Sequence, residues 1–209
     1  MKHILIKERL LNWSDSESME YEKVASTYRY DKRIRHVLFK YISYLEEFYR
    51  AVILDNYFIR TRQKFWVEEF QNKIEEFNYN LNDALENIDF RVLLIQCQRL
   101  PKKKRDMCGF PNDKHLRDNS FALKELRNAV MHNKFLLLYR GFEECYVIGV
   151  DGGKSANLKA NILNLIQFLP PEVGGQCAKD INACKEDRNK ESDTKWDLPS
   201  QVIISLEKQ

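Results

Sequence analysis

The sequence predicts a mainly α-helical bundle with a small β hairpin or edge strand after its central motif helix. Residues 1–100 contain neither glycine nor proline, and Pro101 is the first of either. Apolar residues recur at spacings of three and four over several long stretches, which is the period of an amphipathic helix. The β-type run Cys145–Val150 is followed by the turn signal Asp151–Gly153, which favours a hairpin. Long helices joined by short turns, with one hairpin, follow from these patterns.

Length and composition fit one globular domain. The chain has 209 residues, of which 44% are hydrophobic, so it can form a core without disulfides or a metal. Its net charge is +3. Five cysteines without a CxxC pair are typical of reduced thiols in a cytosol. No zinc site is expected at Cys97, Cys108 and His115, because their spacings match no common finger or ribbon. No signal peptide or membrane-spanning stretch is apparent, so we expect a cytoplasmic protein with no membrane partner and no cofactor.

Three helices are expected before Pro101. The clearest covers roughly Asp31–Arg60, where apolar residues keep the three-four spacing for five turns. On the face of this helix that is expected to be exposed to solvent, Glu46 and Arg50 form a favourable i,i+4 pair. A second helix is expected over Gln63–Phe77 and a third over about Leu81–Leu100.

The segments on either side of these helices show weaker patterns. Residues 1–30 are interpreted as an irregular or short helical arm. The segment Pro101–Pro111 is predicted to be a loop, because it contains one glycine and two prolines. It also carries four consecutive basic residues that could hold an RNA backbone through its phosphates. These residues are Lys102, Lys103, Lys104 and Arg105. The alternative is a solvated loop that only keeps the protein soluble.

The C-terminal part is expected to be less regular. A further amphipathic helix is predicted over Leu158–Leu169, stopped by two prolines. The helical domain would then comprise residues 1–170, with residues 171–209 as a partly ordered tail, because that stretch is rich in polar residues and glycine. Within the tail, Val202–Ile204 is a candidate strand that returns beside the hairpin.

The stretch Ala122–Leu138 is the one that carries a chemical motif. It places Arg127, Asn128 and His132 within six residues, between two apolar runs. Asn128 and His132 are four apart and share a helix face, whereas Arg127 lies about 140° round from His132. Histidine can move a proton on or off a ribose hydroxyl, and arginine can hold phosphate oxygens as negative charge builds. The motif therefore suits metal-independent cleavage of a phosphodiester.

Other short patterns do not support an activity of their own. An arginine followed by a histidine at this spacing also arises by chance, as Arg29 and His36 show. Gly149–Ser155 reads GVDGGKS, one residue too short for a phosphate-binding loop, so a hairpin turn is the better interpretation. The context of the Arg127 motif, directly after an apolar helical run and with Asn128 next to it, distinguishes it from such chance pairs.

The sequence LKELRNAVMHNKFLLL resembles the signature helix of the HEPN superfamily, whose ribonucleases carry arginine, four to six residues and then histidine. The segment Leu38–Tyr57 is similar to the first core helix of the Abi-like branch, the phage abortive-infection proteins related to the ribonucleases of type VI CRISPR systems. Glu47 and Arg50 match a glutamate and arginine three apart in that branch. The similarity covers about Asp31–Tyr139.

This resemblance implies a HEPN-type bundle that dimerises to form one composite, metal-independent ribonuclease site. Arg127 would hold the phosphate, His132 would transfer protons and Asn128 would orient them. Such proteins act as growth-arresting toxins or phage-defence effectors, with an antitoxin or regulatory RNA as a further possible partner. The site lacks a tyrosine two residues after the histidine, where Lys134 stands, so regulation by nucleotide transfer onto that tyrosine is not expected. Lys134, Glu47, Arg50 and the basic residues after Pro101 are the candidate substrate contacts.

Two other functions stay open from the sequence. The first is a non-catalytic HEPN module that binds RNA or a protein partner through its basic segment and helical faces. The second is a structural helical protein in which His132 is only a satisfied core or surface residue.

Overall fold

The structure is a computed structural model that describes residues 4, 7–8, 11, 21–59, 66–107, 115–147, 153–187 and 195–206. Within these ranges the protein is mainly α-helical with one small antiparallel hairpin, which confirms the fold class. Arg60, Cys108–Pro111 and Ile148–Gly152 lie outside the described residues.

Helix α1, Tyr21–Ile59, is the axis of the bundle. Its core side chains follow the expected spacing, with Ile34, Leu38 and Ile42 fully buried. The helix begins ten residues earlier than the sequence pattern indicated. The irregular or short helical arm expected before residue 31 is therefore wrong for residues 21–30, which belong to the long helix; buried Ser26 and Thr27 interrupt the apolar period there.

Three short helices pack beside α1, two of them where the sequence indicated one. Helix α2 covers Glu68–Glu76, α3 covers Leu81–Glu86 and α4 covers Phe90–Gln98. The prediction of a single helix over Leu81–Leu100 is wrong, because the helix is interrupted at Asn87. The Asn87 side chain donates to the carbonyl of Asp83 at 2.9 Å, a local bond that competes with helix continuation.

Helix α5, Lys102–Met107, lies in the segment expected to be a loop. The prediction of a loop is wrong for these six residues. Pro101 stands just before the first helical position, and its carbonyl accepts from the N–H of Arg105 at 3.0 Å. A proline before the first turn fits a helix start, because the first N–H groups of a helix have no partner within it.

Helix α6, Leu116–Met131, carries the Arg/Asn/His motif and runs antiparallel to α1. The second apolar run of the motif stretch is a separate 3-10 turn, Leu136–Leu138. After it, β1 (Cys145–Tyr146) pairs antiparallel with β2 (Lys154–Ser155), which confirms the hairpin. Gly153 in the connection has φ +65, a backbone conformation that favours glycine.

The C-terminal part is more ordered than the sequence indicated. Helix α7 covers Leu158–Phe168, and α8 covers Pro171–Ala183, where a partly ordered tail was expected. In α8, Cys177 and Ile181 are fully buried in the core. The two prolines were interpreted only as the end of α7, but proline is also favoured at the first position of a helix, and here it begins α8.

The segment Lys195–Leu206, here called the C-terminal strap, lies against α1 and α8. The strand expected at Val202–Ile204 beside the hairpin is wrong. Ser200–Val202 is a 3-10 turn, and the N–H of Ile204 donates to the Tyr30 hydroxyl of α1 at 2.8 Å. Among the described residues, no helix combines the length and apolar character that crossing a membrane requires.

Candidate functional site

Arg127 projects from α6 toward α1, where a buried carboxylate holds it. Its Nε donates to Glu46 Oε1 at 3.0 Å, and its guanidinium carbon lies 6.0 Å from the centre of the Phe90 ring. The Arg127 side chain is 31% exposed, whereas that of Glu46 is 11% exposed. No described residue bonds the two terminal nitrogens of Arg127. The guanidinium is thus oriented through one edge, with its terminal N–H groups available to a ligand.

Glu46 binds a second arginine of its own helix. Arg50 Nη2 lies 3.5 Å from Glu46 Oε2, which confirms the expected i,i+4 pair. Arg50 also donates through Nε to the carbonyl of Leu85 at 3.0 Å and pairs through Nη1 with Glu47 at 2.6 Å. One carboxylate thus ties the motif helix to α1, while Arg50 ties α1 to α3.

His132 is the C-cap of α6, where the helix ends in a Schellman turn. The N–H of Lys134 donates to the carbonyl of Ala129 at 2.9 Å, and the N–H of Asn133 donates to the carbonyl of Val130 at 3.1 Å. Asn133 has φ +52, the left-handed conformation that this turn requires. The backbone of His132 is therefore held in place, while its imidazole is exposed and has no partner among the described residues.

Asp31 of α1 fixes the turn that follows His132. This carboxylate is fully buried and accepts from the N–H of Leu136 at 2.6 Å and of Leu137 at 3.1 Å. Its other oxygen pairs with Arg35 at 3.0 Å, and Arg35 donates to the Asn133 side chain at 3.3 Å. A buried charge is costly unless it is paired and hydrogen-bonded, and both conditions are met here.

The motif side chains leave α6 in different directions. Arg127 turns inward to Glu46, while His132 faces solvent and Asn128 lies half-buried between them. This agrees with the angle of about 140° between positions five apart on a helix. One chain therefore presents a held guanidinium and an exposed imidazole on two sides of one helix end.

Only some of the residues predicted to contact the substrate lie near Arg127 and His132. Glu47 and Arg50 lie beside Glu46 on α1, and Lys134 is exposed directly after the motif. The basic segment lies elsewhere: Arg105 donates to the Gln98 carbonyl, and Gln98 donates to Ser120, twelve residues before His132. Lys102 and Lys103 are exposed on α5, and the side chain of Lys104 lies outside the described part. The basic segment thus adjoins the opposite half of α6.

Two acidic residues of the site lie outside the Arg/Asn/His motif. Glu46 binds Arg127, 81 positions away, and Asp31 binds Leu136, 105 positions away, and their burial is visible only in the fold. A weak signal exists, since Asp31 is the last acid before a stretch of fourteen residues that contains none. An acid just before a long basic and apolar stretch is a candidate for a buried ion pair.

The described cysteines do not offer a nucleophile. Cys97, Cys145, Cys177 and Cys184 are buried thiols. Burial raises the pKa of both Cys145 and Cys177 to about 12. His115 stacks on Tyr146 with ring centres 3.6 Å apart. In the part of the chain that is described, no three His, Cys, Asp or Glu side chains form a group that could hold a metal ion.

We expect Cys145 and Cys177 to resist alkylation in the native protein. A pKa of about 12 against an ordinary 9.0 lowers the thiolate fraction at pH 8 about a thousandfold. Iodoacetamide labelling followed by peptide mass spectrometry measures this at each cysteine, with protein in urea as the reference. Native labelling at the urea rate would show that these thiols are reachable and ionised.

Fold and site together define a mainly helical protein whose motif helix ends in a held arginine and an exposed histidine. Comparison with models of protein families, with curated proteins and with solved structures gives no match for this chain.

Proposed function

We propose that the protein is a metal-independent endoribonuclease of HEPN type, with a composite Arg/His site at a homodimer interface. Arg127 holds the scissile phosphate, His132 transfers protons and Asn128 orients the two. The observation that supports this role most directly is the pairing of Arg127 with buried Glu46. It fixes the guanidinium while leaving its terminal nitrogens available, next to a helix end that presents an unpartnered imidazole.

The chemistry needs a base and an acid. The ribose 2′-hydroxyl loses its proton to one imidazole and attacks phosphorus, and the bond from phosphorus to the 5′-oxygen breaks. A second, protonated imidazole gives its proton to that departing oxygen, so the products are a 2′,3′-cyclic phosphate and a 5′-hydroxyl. Arginine stabilises the charge that builds on the phosphate oxygens.

The need for two imidazoles favours a dimer. Of the other two described histidines, His115 is stacked on Tyr146 at the far end of α6, and His36 lies about 100° round α1 from Arg35, which faces the His132 turn. Two copies of α6 that meet at their C-terminal ends would supply two copies of His132 and of Arg127. A homodimer is therefore part of the proposal, and the paired helix ends form its site.

The cellular role follows from the resemblance to the Abi-like branch. We place the protein in the cytoplasm, where it would cut RNA in phage defence or arrest growth as a toxin. An antitoxin or a regulatory RNA would then restrain it.

We expect the purified dimer to cleave RNA in EDTA and His132→Ala to lower kcat/KM by about 10²–10⁴, the usual contribution of a general acid–base group. Arg127→Ala is expected to lower it by about 10²–10³. His115→Ala and Arg117→Ala, two changes at the opposite end of the same helix, serve as matched controls and should keep their activity. Cleavage of labelled RNA is followed on gels, and circular dichroism checks the fold.

Three outcomes separate the alternatives. Cleavage that survives His132→Ala would remove the proposed mechanism. An inert wild-type dimer that binds RNA equally well with and without His132 would indicate a non-catalytic binding module. A protein that neither cuts nor binds RNA would be a structural helical protein, with Arg127 retained for its ion pair to Glu46.

A further inference from the structure

One line of side chains runs along α1 beside the motif helix. Its members are separated by four, three, four and seven residues, spacings that keep them within about 60° on one side of a helix. We call this line the α1 stripe; it consists of Tyr28, Lys32, Arg35, Phe39 and Glu46.

Contacts place the α1 stripe along the C-terminal end of α6. At one end Tyr28 stacks on Phe135 with ring centres 6.3 Å apart. Further along, Arg35 donates to Asn133, the residue after His132, at 3.3 Å. At the other end Glu46 holds Arg127 at 3.0 Å. The stripe therefore spans the whole candidate site.

Phe39 occupies the middle of the α1 stripe. It lies about 6 Å along the helix axis from Arg35 and about 10 Å from Glu46, at 1.5 Å per residue. The ring is 49% exposed. A large apolar ring is thus presented to solvent between the contact that positions the His132 turn and the contact that positions Arg127.

The surface around Phe39 is basic. From Lys32 to Leu45 the chain has four lysines and arginines and no acid, although Lys40 pairs with Asp180 of α8 at 3.1 Å. The acids at the two ends, Asp31 and Glu46, are buried and paired with arginines. Exposed Lys134 adds a further positive charge just after the motif. A half-exposed aromatic ring near Lys32 and Lys134, two exposed cations that pair with no described acid, is an arrangement by which proteins bind single nucleic-acid strands.

We infer that the α1 stripe binds a single strand of RNA, with one base stacked on Phe39 and the flanking phosphates near Lys32 and Lys134. The inference rests on the proposed function, since it names the strand that the Arg127 and His132 site would cut. A duplex is disfavoured, because its bases stack on each other inside the helix and cannot reach an aromatic ring.

The test measures binding apart from cleavage, in the His132→Ala background and with a labelled single-stranded RNA. We expect Phe39→Leu to weaken binding about tenfold, since a base stacked on an aromatic ring typically contributes that much or more. Phe39→Trp should bind within about threefold of the parent. Tyr79→Leu, which changes an exposed aromatic residue at the α2–α3 turn, is the matched control and should bind as the parent does. Lys32→Ala should reduce the slope of log affinity against log salt by about 0.7.

Equal single-strand affinity of Phe39→Leu and its parent would overturn the inference. So would a change of oligomeric state in Phe39→Leu, measured by light scattering, because Phe39 would then be a subunit contact. Equally tight binding of a duplex of the same length would also overturn it. If the wild type cuts RNA while Phe39→Leu binds and cuts normally, only this inference fails. If the wild type neither binds nor cuts RNA, the proposed function fails with it.

Discussion

Asp31→Ala is expected to lower the free energy of unfolding by about 3–4 kcal/mol, because it removes a buried charge partner and two acceptor bonds together. In the folded protein this carboxylate is fully buried and accepts from the N–H groups of Leu136 and Leu137. Without it, both donors and the Arg35 guanidinium lose a partner. The proposed RNA cleavage should fall as well, because the turn that follows His132 loses its anchor. Urea unfolding followed by circular dichroism measures the stability.

Two further variants identify the cause. Asp31→Asn keeps one acceptor oxygen for the two N–H groups but loses the charge that faces Arg35, so it should fall between wild type and Asp31→Ala. Asp55→Ala changes an exposed aspartate of the same helix and should stay within about 0.5 kcal/mol of wild type. An Asp31→Ala protein as stable as Asp55→Ala would show that the turn is held by packing alone.

Periodicity predicted the middle of α1 well and its first part poorly. From Ile34 to Leu45 the core positions are apolar, so the helical period is visible in the sequence. Before that point the buried positions include Ser26 and Thr27. Ser26 is buried because its hydroxyl accepts from the N–H of Asp197 in the C-terminal strap at 2.9 Å. A polar residue whose partner is 171 positions away, as for Ser26, gives no local signal.

Helix α8 was missed for a related reason. Its two adjacent glycines, Gly174 and Gly175, suggest a flexible tail in the sequence. In the structure a Cβ on Gly174 would lie 3.1 Å from the carbonyl oxygen of Ile166. Gly174 therefore permits close packing of α8 on α7, a role that composition alone does not distinguish from flexibility.

In the candidate site too, local contacts could be predicted from the sequence and long-range contacts could not. Arg127 and His132 were found because their spacing is local, and Glu46 with Arg50 because i,i+4 pairs are local as well. The contact between Glu46 and Arg127 joins residues 81 positions apart. It depends on how α6 lies against α1, so local sequence patterns contain no information about it.

Removal of the C-terminal strap is expected to lower stability more than any single substitution. The strap buries Val202, Ile204 and Leu206, which are 5%, 8% and 3% exposed. At about 1.5–3 kcal/mol for each buried aliphatic side chain, an upper estimate, a chain that stops before Lys195 should lose on the order of 5 kcal/mol. For a protein of this size, that corresponds to a Tm about 10–20 °C lower by calorimetry.

The strap is also held by polar contacts that a truncation would remove. The Trp196 ring lies 4.6 Å from the Arg33 guanidinium carbon, and its indole N–H donates to the Lys185 carbonyl at 3.0 Å. The backbone N–H and carbonyl of Leu206 both bond the Asn182 side chain at 2.8 Å.

A matched pair of substitutions tests the strap in the full-length chain. Leu206→Asp places a charge in the core, so the strap should detach and the Tm should fall toward that of the truncated protein. Ser205→Asp places the same charge on the adjacent exposed residue and should leave the Tm within about 2 °C of wild type. Because the strap can detach from the bundle, the loss of stability caused by Leu206→Asp cannot exceed the loss caused by truncation. Equal Tm values for the two substitutions would show that the strap contributes little to the bundle.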